Sequence, residues 1–462
     1  MAAHIFPETA NLTQANWENG MKPKKTEHKP QRELFRVELS LLVDANHPLV
    51  KLGGRINWTA FEEHLAPTYH DKTGAPGIDT RLMVALHYLK YQHDLSDEAV
   101  VAGWVENPYW QHFSGRQYFE HEFPIDPSSM TRWRKRLGEA GAEAMLKATI
   151  ETGVAMGVIR PAQVTHVNVD TTVQTKDVRY PTDARLYDRA RERLVKQARK
   201  SGLSIKQSYE RVGRRLVMMS GRYAHARQMK RSKRCVRKLR TNLGRVIREI
   251  ERQGAPESLR VLLDTSKRIH LQKRGDQEKI YSVHEPGVAC IAKGKAGRKY
   301  EFGQKVSIAT TSKGGWLLGA LCVPGNPYDG HTLKVQMEQV ERLYSKKEHL
   351  KTVHVDMGYR GHDYTGSAEV LVDRRGRGSI PKRIWRWMKR RAAVEPTIGH
   401  LKSDYRLERN RLKGRLGDAL NALFSAAAMN FKKLLGFFLA FLLRLLSALL
   451  ASRSTACLRC PA

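Results

Sequence analysis

Cysteine is scarce in this sequence, with five in 462 residues: Cys235, Cys290, Cys322, Cys457 and Cys460. They are too few and too scattered for a disulfide framework, and this scarcity fits a reducing cytosol. Two of them form a single CxxC pair near the C-terminus, but a structural zinc site needs four ligands and no second pair lies near. The sequence therefore excludes a disulfide-rich class of protein, and it predicts a plain tail at the CxxC pair.

Acidic residues are also few in comparison with basic ones. Asp and Glu total 46 against 81 Lys and Arg, which gives a formal net charge of +35. A surplus of this size indicates a polyanionic partner, with nucleic acid first and an anionic membrane surface second. The apolar content of 41% is enough for folded domains, and the length allows two or three of them.

Long apolar runs are rare too, and the longest, residues 434–451, carries Arg444 in its middle. An uninterrupted membrane span needs roughly 20 apolar residues, and a charge inside one is costly. We therefore expect residues 431–462 to form a packed or oligomerising apolar helix and a tail, with no membrane partner. The N-terminal residues 1–32 are polar and basic and lack the apolar core of a signal peptide, so we expect them to be disordered.

Residues 33–150 have the pattern of amphipathic helices. In the stretch Arg81–His93, apolar residues recur at helical spacing, and Ser96 is a plausible cap for a second helix. The pattern predicts a helical N-terminal domain over this range.

A basic helix is predicted next, capped by Ser128 or Ser129 after two prolines. A short helix, a turn and a basic helix resemble a helix-turn-helix module. We therefore expect residues 33–150 to bind DNA, with contacts from Arg132 and Arg134, and we expect Trp133 to be a core anchor.

From residue 164 the apolar pattern changes to a period of two, which is typical of strands. In THVNVD, ending at Asp170, and in TVHVDMG, which contains Asp356, valines face one way and polar residues the other. A hairpin (305–311 and 316–323), a helix (333–344), a strand (369–372) and a long helix from residue 381 or 382 through Glu395 complete the pattern. This order of strand, hairpin, helix, strand, strand and helix is that of a ribonuclease-H-like α/β domain, which we assign to residues 160–184 and 254–430.

A basic segment interrupts this domain at residues 185–253. It contains 23 Lys and Arg against 5 Asp and Glu, a surplus of 18, and it has no proline. We expect a helical insertion that lies along DNA phosphates. The alternative is a helical hairpin whose charges are only solvated.

Asp170 and Asp356 each come where a polar strand face meets the end of its strand, so their carboxylates can converge on one point. Two carboxylates held together repel each other unless a cation lies between them, and Mg²⁺ prefers hard oxygen ligands. Glu395 is the natural third acid, because Arg391, four residues before it, and Lys402, seven after it, would share its helix face. The pattern predicts that these acids hold two metal ions, one for the attacking oxygen and one for the leaving oxygen of an in-line displacement, while the two bases bind DNA phosphates.

Several stretches resemble the insertion-sequence-five family of DDE transposases. They are VNVDTTVQ, YPTDARL, VHEPGVACIAKGKAGRKYEFGQKVSIAT, PGNPYDGHTL, VDMGYRGH and VEPTIGHLK, and the family pattern Arg-x3-Glu-x6-Lys is met by Arg391, Glu395 and Lys402. The related insertion-sequence-four pattern has a Tyr three residues before the Arg, where this chain has Met388. The resemblance covers most of residues 33–430, and it implies a ribonuclease-H-like fold with Asp170, Asp356 and Glu395 as the catalytic triad.

The resemblance also implies a function. A member of that family would bind the terminal inverted repeats of an insertion element, as well as target DNA, and would cut and rejoin strands with two Mg²⁺ or Mn²⁺ ions. We expect Arg360, in the turn after Asp356, to hold a phosphate, and we expect a cytoplasmic, nucleoid-associated homo-oligomer. Three alternatives remain: a nuclease of the same fold, a catalytically silent DNA-binding derivative, and a membrane-attached basic protein.

Overall fold

The computed structural model describes residues 21–23, 37–69, 76–292, 300–373 and 382–457. Most of the predicted disordered segment 1–32 lies outside the described residues. The exception is the short strand β1 (Met21–Pro23), which pairs in parallel with β2 (Pro76–Gly77).

The first part of the chain is helical, as its amphipathic pattern predicts. Asp79 caps the helix at Thr80–Gln92 by accepting from the amide of Arg81 at 2.9 Å, and Ser96 caps the next helix by accepting from Ala99 N at 3.0 Å. The helices of this part are α1 (Leu39–Leu42), α2 (Pro48–Gly53), α3 (Thr59–Leu65), α4 (Thr80–Gln92), α5 (Asp97–Glu106), α6 (Pro108–Phe113), α7 (Ser128–Ala155) and α8 (Pro161–Val164).

The predicted helix-turn-helix is not what the chain forms before α7. The connection from α6 to α7 runs from Ser114 to Pro127, whereas a helix-turn-helix has a turn of roughly three or four residues. The predicted serine cap is also wrong, because Asp126 accepts from both the amide and the hydroxyl of Ser128. Gly138, with φ 64° and ψ −173°, breaks the helical path inside α7.

A mixed sheet follows the helices. The hairpin and the strands before Asp356 and at 369–372 lie where the period-two pattern predicts them. The strands are β3 (His166–Lys176), β4 (Ala289–Ala292), β5 (Tyr300–Thr311), β6 (Leu317–Val323), β7 (Thr352–Val355), β8 (Glu369–Val372) and β9 (Arg409–Asn410). β5 pairs antiparallel with β3, β4 and β6, while β3, β7 and β8 run parallel to each other and β9 pairs in parallel with the end of β3. This mixed sheet with flanking helices agrees with the expected ribonuclease-H-like α/β class.

The polar side of β3 is buried, contrary to a strand with one solvated face. Asn168 is fully buried, and its side chain donates to the carbonyl of Arg390 at 3.2 Å and accepts from the Ser312 hydroxyl. His166 stacks on Trp387 with ring centroids 3.7 Å apart. β3 is thus a central strand, covered on this side by a helix that arrives much later in the chain.

The basic insertion has a hydrophobic core of its own. Its helices are α9 (Asp183–Lys200), α10 (Glu210–His225), α11 (Met229–Arg252) and α12 (Glu257–Leu271). One apolar cluster, running from Ala184 to Val283, joins them, so the insertion extends past the predicted boundary at residue 253 because α12 packs on α9 and α11. The chain leaves and re-enters the sheet domain at one place, since the rings of Tyr180 and Tyr281 each lie 5.3 Å from that of Phe302.

After α13 (Leu333–Leu343) and the strands β7 and β8, the predicted long helix is two helices, α14 (Lys382–Arg391) and α15 (Val394–Ser403). The break at Ala392 and Ala393 precedes Pro396, which lies in the first turn of α15, where proline is tolerated. Arg391 and Glu395 therefore lie on different helices rather than on one helix face.

The last helix, α16 (Gly414–Cys457), packs against α7, α4 and β6. One apolar cluster runs from Leu49 to Leu434 and includes residues of the N-terminal helices, the sheet and α16. Residues Gly414–Ala440 are long and apolar enough to cross a membrane, but 61% of their most apolar window is buried inside the protein. This part of α16 thus has the burial of a core helix that joins the N-terminal helices to the sheet.

Substitution of Gly303 tests the packing of the sheet. Gly303 lies in β5 between β3 and β4, and a Cβ there would run into the carbonyl of Gln174. We expect Gly303→Ala to lower the free energy of unfolding by about 1–3 kcal/mol, as overpacking does. Urea unfolding measures this change.

The matched control is Gly399→Ala in α15, where a Cβ meets nothing within 4 Å. Because alanine favours a helix interior, the control should be stabilised by roughly 0.4–1 kcal/mol. Equal effects of the two substitutions would contradict the described sheet.

Candidate active site

Two aspartates lie side by side at the edge of the β3–β7 pairing. The parallel register ends at Asn168↔His354, and two further residues on each chain are Asp170 and Asp356. Adjacent strands are about 4.8 Å apart, so the register places the two carboxylates together. The pairing confirms that these strands are neighbours. However, Asp170 lies in the middle of β3 rather than at its end, because β3 continues to Lys176 along β5.

Local backbone contacts orient both carboxylates. Asp170 Oδ1 accepts from the amide of Thr171 at 2.8 Å, and Asp356 Oδ1 accepts from the amide of Gly358 at 2.9 Å. Asp356 in this way caps a 3-10 turn, Met357–Tyr359, that ends β7.

Burial and mutual repulsion disfavour charge at this pair. Burial, followed by the nearby charge of Asp356, raises the pKa of Asp170 from 3.8 to about 6. Burial also raises the pKa of Asp356, against the lowering effects of its hydrogen bond from Gly358 and of the Arg391 guanidinium. A divalent cation would remove this repulsion.

Asp329 is a third carboxylate at the site, and the sequence pattern gave it no role there beyond a place in a polar loop. Its Oδ1 accepts from Thr171 Oγ1 at 2.9 Å and from Lys305 Nζ at 2.8 Å, and its charge contributes to the raised pKa of Asp170 and of Asp356. A Cβ built on Gly358 would lie 3.2 Å from Asp329 Oδ2 and 3.0 Å from Asp356 Oδ1. In the sequence, an Asp in a loop rich in Gly and Pro is typical of a turn. Only its ion pair with the buried Lys305, which the structure reveals, distinguishes Asp329 from an ordinary turn residue.

Glu395 is turned away from the aspartate pair. Its side chain is 67% exposed, and its Oε1 lies 4.0 Å from Arg391 Nη2. Arg391 Nη1 lies 3.5 Å from Asp170 Oδ2, so this guanidinium stands between the two acids. The structure thus brings Asp170 and Asp356 together and links Glu395 to them only through Arg391.

A divalent cation fits the aspartate pair. Within the described ranges, no three His, Cys, Asp or Glu side chains converge closely enough to hold a metal ion. Mg²⁺ keeps several waters and is commonly held by one or two carboxylates plus substrate phosphates. Asp170 and Asp356 have this donor set, while Glu395 in its present position does not complete it.

The predicted DNA contacts fall into two groups. Arg134 is only 5% exposed and forms a bidentate pair with Asp97 at 2.8 and 2.7 Å, so the structure does not leave it available for the predicted DNA contact. Trp133 is buried against His87, as expected of a core anchor. Arg132 and Arg360 are exposed, and Lys402 is half-buried in α15.

Comparisons with known proteins identify two transposase domains in the chain. Residues 37–136 match the family described as a transposase domain (DUF772), and residues 266–431 match the transposase DDE domain. A Rhizobium meliloti protein described as uncharacterized protein ORF8 in the nfe locus is 50% identical over 198 residues, which are 43% of this chain and 95% of that protein. No solved structure matches the chain.

The DDE match contains Asp356 and Glu395 but begins after Asp170. The helices α9–α11 separate β3 from the rest of the sheet in sequence, and the match starts inside α12. Asp170 lies outside the matched residues in sequence, but the pairing of β3 with β7 places it beside Asp356, which lies inside them.

The raised pKa of Asp170 makes a stability prediction. Between about pH 4 and 6 the unfolded chain loses a proton that the folded protein keeps, so this carboxyl lowers the free energy of unfolding as the pH rises. In EDTA, Asp170→Asn should gain on the order of 2 kcal/mol relative to wild type between pH 4.5 and pH 7.5. Urea unfolding at the two pH values measures the difference.

Asp97→Asn is the control of opposite sign. Although burial raises it, the pKa of Asp97 is held well below 3.8 by Arg134 and Lys90, so this variant should lose stability relative to wild type as the pH rises from about 2 to 4, and the difference should change little between pH 4.5 and pH 7.5. An Asp170→Asn variant whose difference from wild type is the same at both pH values would disprove the buried, repelled carboxyl.

Proposed function

The chain belongs to the transposases with a DDE domain, and from that premise we propose that it binds the terminal inverted repeats of an insertion element and cuts and joins DNA strands. The observation that carries this proposal is the register of β3 and β7, which places Asp170 beside Asp356 at the sheet edge. Phosphoryl transfer depends mainly on positioning and electrostatic stabilisation by the protein. Two adjacent carboxylates can hold the divalent metal that supplies this stabilisation.

In this proposal Asp170 and Asp356 hold divalent metal, Mg²⁺ or Mn²⁺. When bound, two such ions activate the attacking oxygen and stabilise the leaving oxygen of an in-line displacement. The third acid is Glu395, and Arg391 positions it while neutralising part of the charge of Asp170. We further propose that the chain belongs to the insertion-sequence-five group, since Arg391, Glu395 and Lys402 meet its pattern.

DNA is the partner that a transposase requires, and the basic insertion is suited to bind it. α11 buries Cys235, Leu239 and Leu243 in the core of the insertion and exposes basic side chains on the opposite side. These exposed side chains include Lys233, Arg234, Arg237 and Lys238. We propose that this face lies along DNA phosphates, that Arg360 holds a phosphate near the metal site, and that the protein acts at nucleoid DNA in the cytoplasm as a homo-oligomer.

Asp356→Asn tests the catalytic assignment. The amide oxygen can still accept from Gly358 N, but the metal-binding charge is removed. We expect cleavage and joining of an end fragment in Mg²⁺ to fall by at least roughly 100-fold, because that charge holds the metal ion that acts on the reacting phosphate. DNA affinity, which comes from many Lys and Arg side chains, should remain within about twofold.

The control is Asp373→Asn, which removes an acid that follows the neighbouring strand β8 and acts on the charge of Asp356. It should retain most of the cleavage. Unchanged cleavage in Asp356→Asn would refute the assignment.

Removal of the insertion tests the DNA-binding proposal. Replacing residues 182–280 with a short Gly-Ser linker should leave a folded core, since Tyr180 and Tyr281 both pack on Phe302 and the insertion has its own apolar cluster. Affinity should fall for all DNA sequences alike, and the plot of log affinity against log salt should flatten. Fluorescence anisotropy with two unrelated duplexes measures both quantities.

A second variant keeps the insertion folded. Changing Lys233, Arg234, Arg237 and Lys238 to Gln removes only exposed charge and should reduce the salt slope by up to about 3.6, or 0.9 for each phosphate that is no longer neutralised. Slopes equal to that of the wild type in both variants would mean that the insertion does not touch phosphate.

A further inference from the structure

A basic groove lies between α7 and the segment that leads into α16. Its volume is about 1400 Å³, and one wall comes from α5 and α7 while the other comes from residues 406–420. Eight of its lining side chains are Lys or Arg and two are Asp or Glu. We call it the α7 groove.

The floor of the α7 groove is rigid and positively charged. Asp97 accepts from both Lys90, at 2.6 Å, and Arg134, at 2.8 and 2.7 Å, so two buried cations share one carboxylate. Burial, helped by the charges of Arg134 and Arg406 and opposed by Asp97, lowers the pKa of Lys90 to about 8. The floor therefore has two cations for one carboxylate and keeps a net positive charge.

The rim of the α7 groove carries cations on both walls. Arg132 is exposed on α7, and Arg411 and Lys413 are exposed on the opposite wall. Arg136 lies over the ring of Tyr69, 4.5 Å from its centroid, which holds its guanidinium at the groove. Facing rows of cations above a positive floor favour an extended polyanion over a single bound anion.

The α7 groove is connected to the aspartate pair through the sheet. Arg411 follows β9, and β9 pairs with Thr175 and Lys176 of β3. Thr175 is five residues along β3 from Asp170, which is roughly 17 Å of strand. This separation is within the length of a short DNA duplex.

We infer that the α7 groove binds the phosphate backbone of duplex DNA without reading bases, and that it aligns the DNA with the aspartate pair. This inference rests on the proposed function. It gives α7 a role other than that of the basic helix in the predicted helix-turn-helix. Arg134 is paired with Asp97 in the floor of the groove, while Arg132, Arg411 and Lys413 contact phosphates from the two walls.

The test neutralises the wall opposite α7 in the full chain, as Arg411→Gln with Lys413→Gln. Fluorescence anisotropy measures the affinity for a 30-base-pair duplex of arbitrary sequence over a series of salt concentrations. Each phosphate that is no longer neutralised lowers the slope of log affinity against log salt by about 0.9, so the double variant should show a slope smaller by about 1.8 and an affinity roughly 10- to 100-fold weaker near 0.1 M salt. The decrease should be the same for duplexes with and without the element's terminal repeat.

The matched control is Lys346→Gln with Lys351→Gln, which removes the same charge at the exposed amino end of β7, opposite the end that leads to Asp356. Its slope should stay at the wild-type value, and thermal melts should be alike for both variants. A groove variant with the wild-type slope, or a control variant with an equal decrease, overturns the inference.

Cleavage assays separate this inference from the proposed function. If the wild type cuts terminal-repeat DNA and the groove variant binds as well as the wild type, the function stands and the groove is wrong. If the wild type cuts no DNA but the groove variant alone loses slope and affinity, the groove stands and the catalytic proposal is wrong.

Discussion

The parallel pairing of β3 with β7 makes Asp170 and Asp356 neighbours, and the charged side chains around them are arranged to suit that pair. Two half-buried carboxylates at one sheet edge cost free energy unless positive charge reaches them. The ammonium group of Lys305 compensates the negative charge of Asp329, and the guanidinium of Arg391, at the end of α14, lies near Asp170. α14 is held against the sheet by Trp387, which stacks on His166, and by the bond from Asn168 to Arg390 O. The buried polar side of β3 thus positions α14 so that Arg391 lies beside Asp170.

The long helix α16 makes one packing unit of the N-terminal helices and the sheet. Tyr88 of α4 stacks on Phe431, with ring centroids 5.0 Å apart, and the Tyr91 hydroxyl donates to Asn421 Oδ1 at 2.9 Å. On its other side, Asn430 bonds with both backbone groups of Leu317 in β6. The α7 groove and the aspartate pair therefore keep a fixed spacing. The insertion, with a separate core, can be changed without loss of that spacing.

Local sequence patterns predicted those parts of the fold that local physics decides. The alternation around Val167 and Val353 located β3 and β7, and Ser96 located the start of α5, because strand periodicity and capping act within a few residues. The break between α14 and α15 lies at two alanines that give no signal of a helix end, and only the nearby Pro396 indicates that the helix does not continue unchanged. The burial of Arg134 was missed because its partner, Asp97, lies 37 residues away in the sequence.

The same limit applies to the candidate site. Asp170 and Asp356 could be paired from their strands, but Asp329 lies in a loop whose distance from Asp170 depends on the hairpin and on Lys305. Glu395 follows the family pattern, yet its side chain is 67% exposed, and a helix break separates it from Arg391. Contacts that depend on several elements at once cannot be found from spacing along one of them.

In the proposed mechanism Asp170 and Asp356 together hold divalent metal, and Mn²⁺ binding to the full chain tests this, followed by electron paramagnetic resonance with a DNA duplex present. We expect saturable binding to the wild type and loss of that binding in the Asp170→Asn, Asp356→Asn double variant, with the protein still folded and bound to DNA. Equal Mn²⁺ binding by the wild type and the double variant would contradict it.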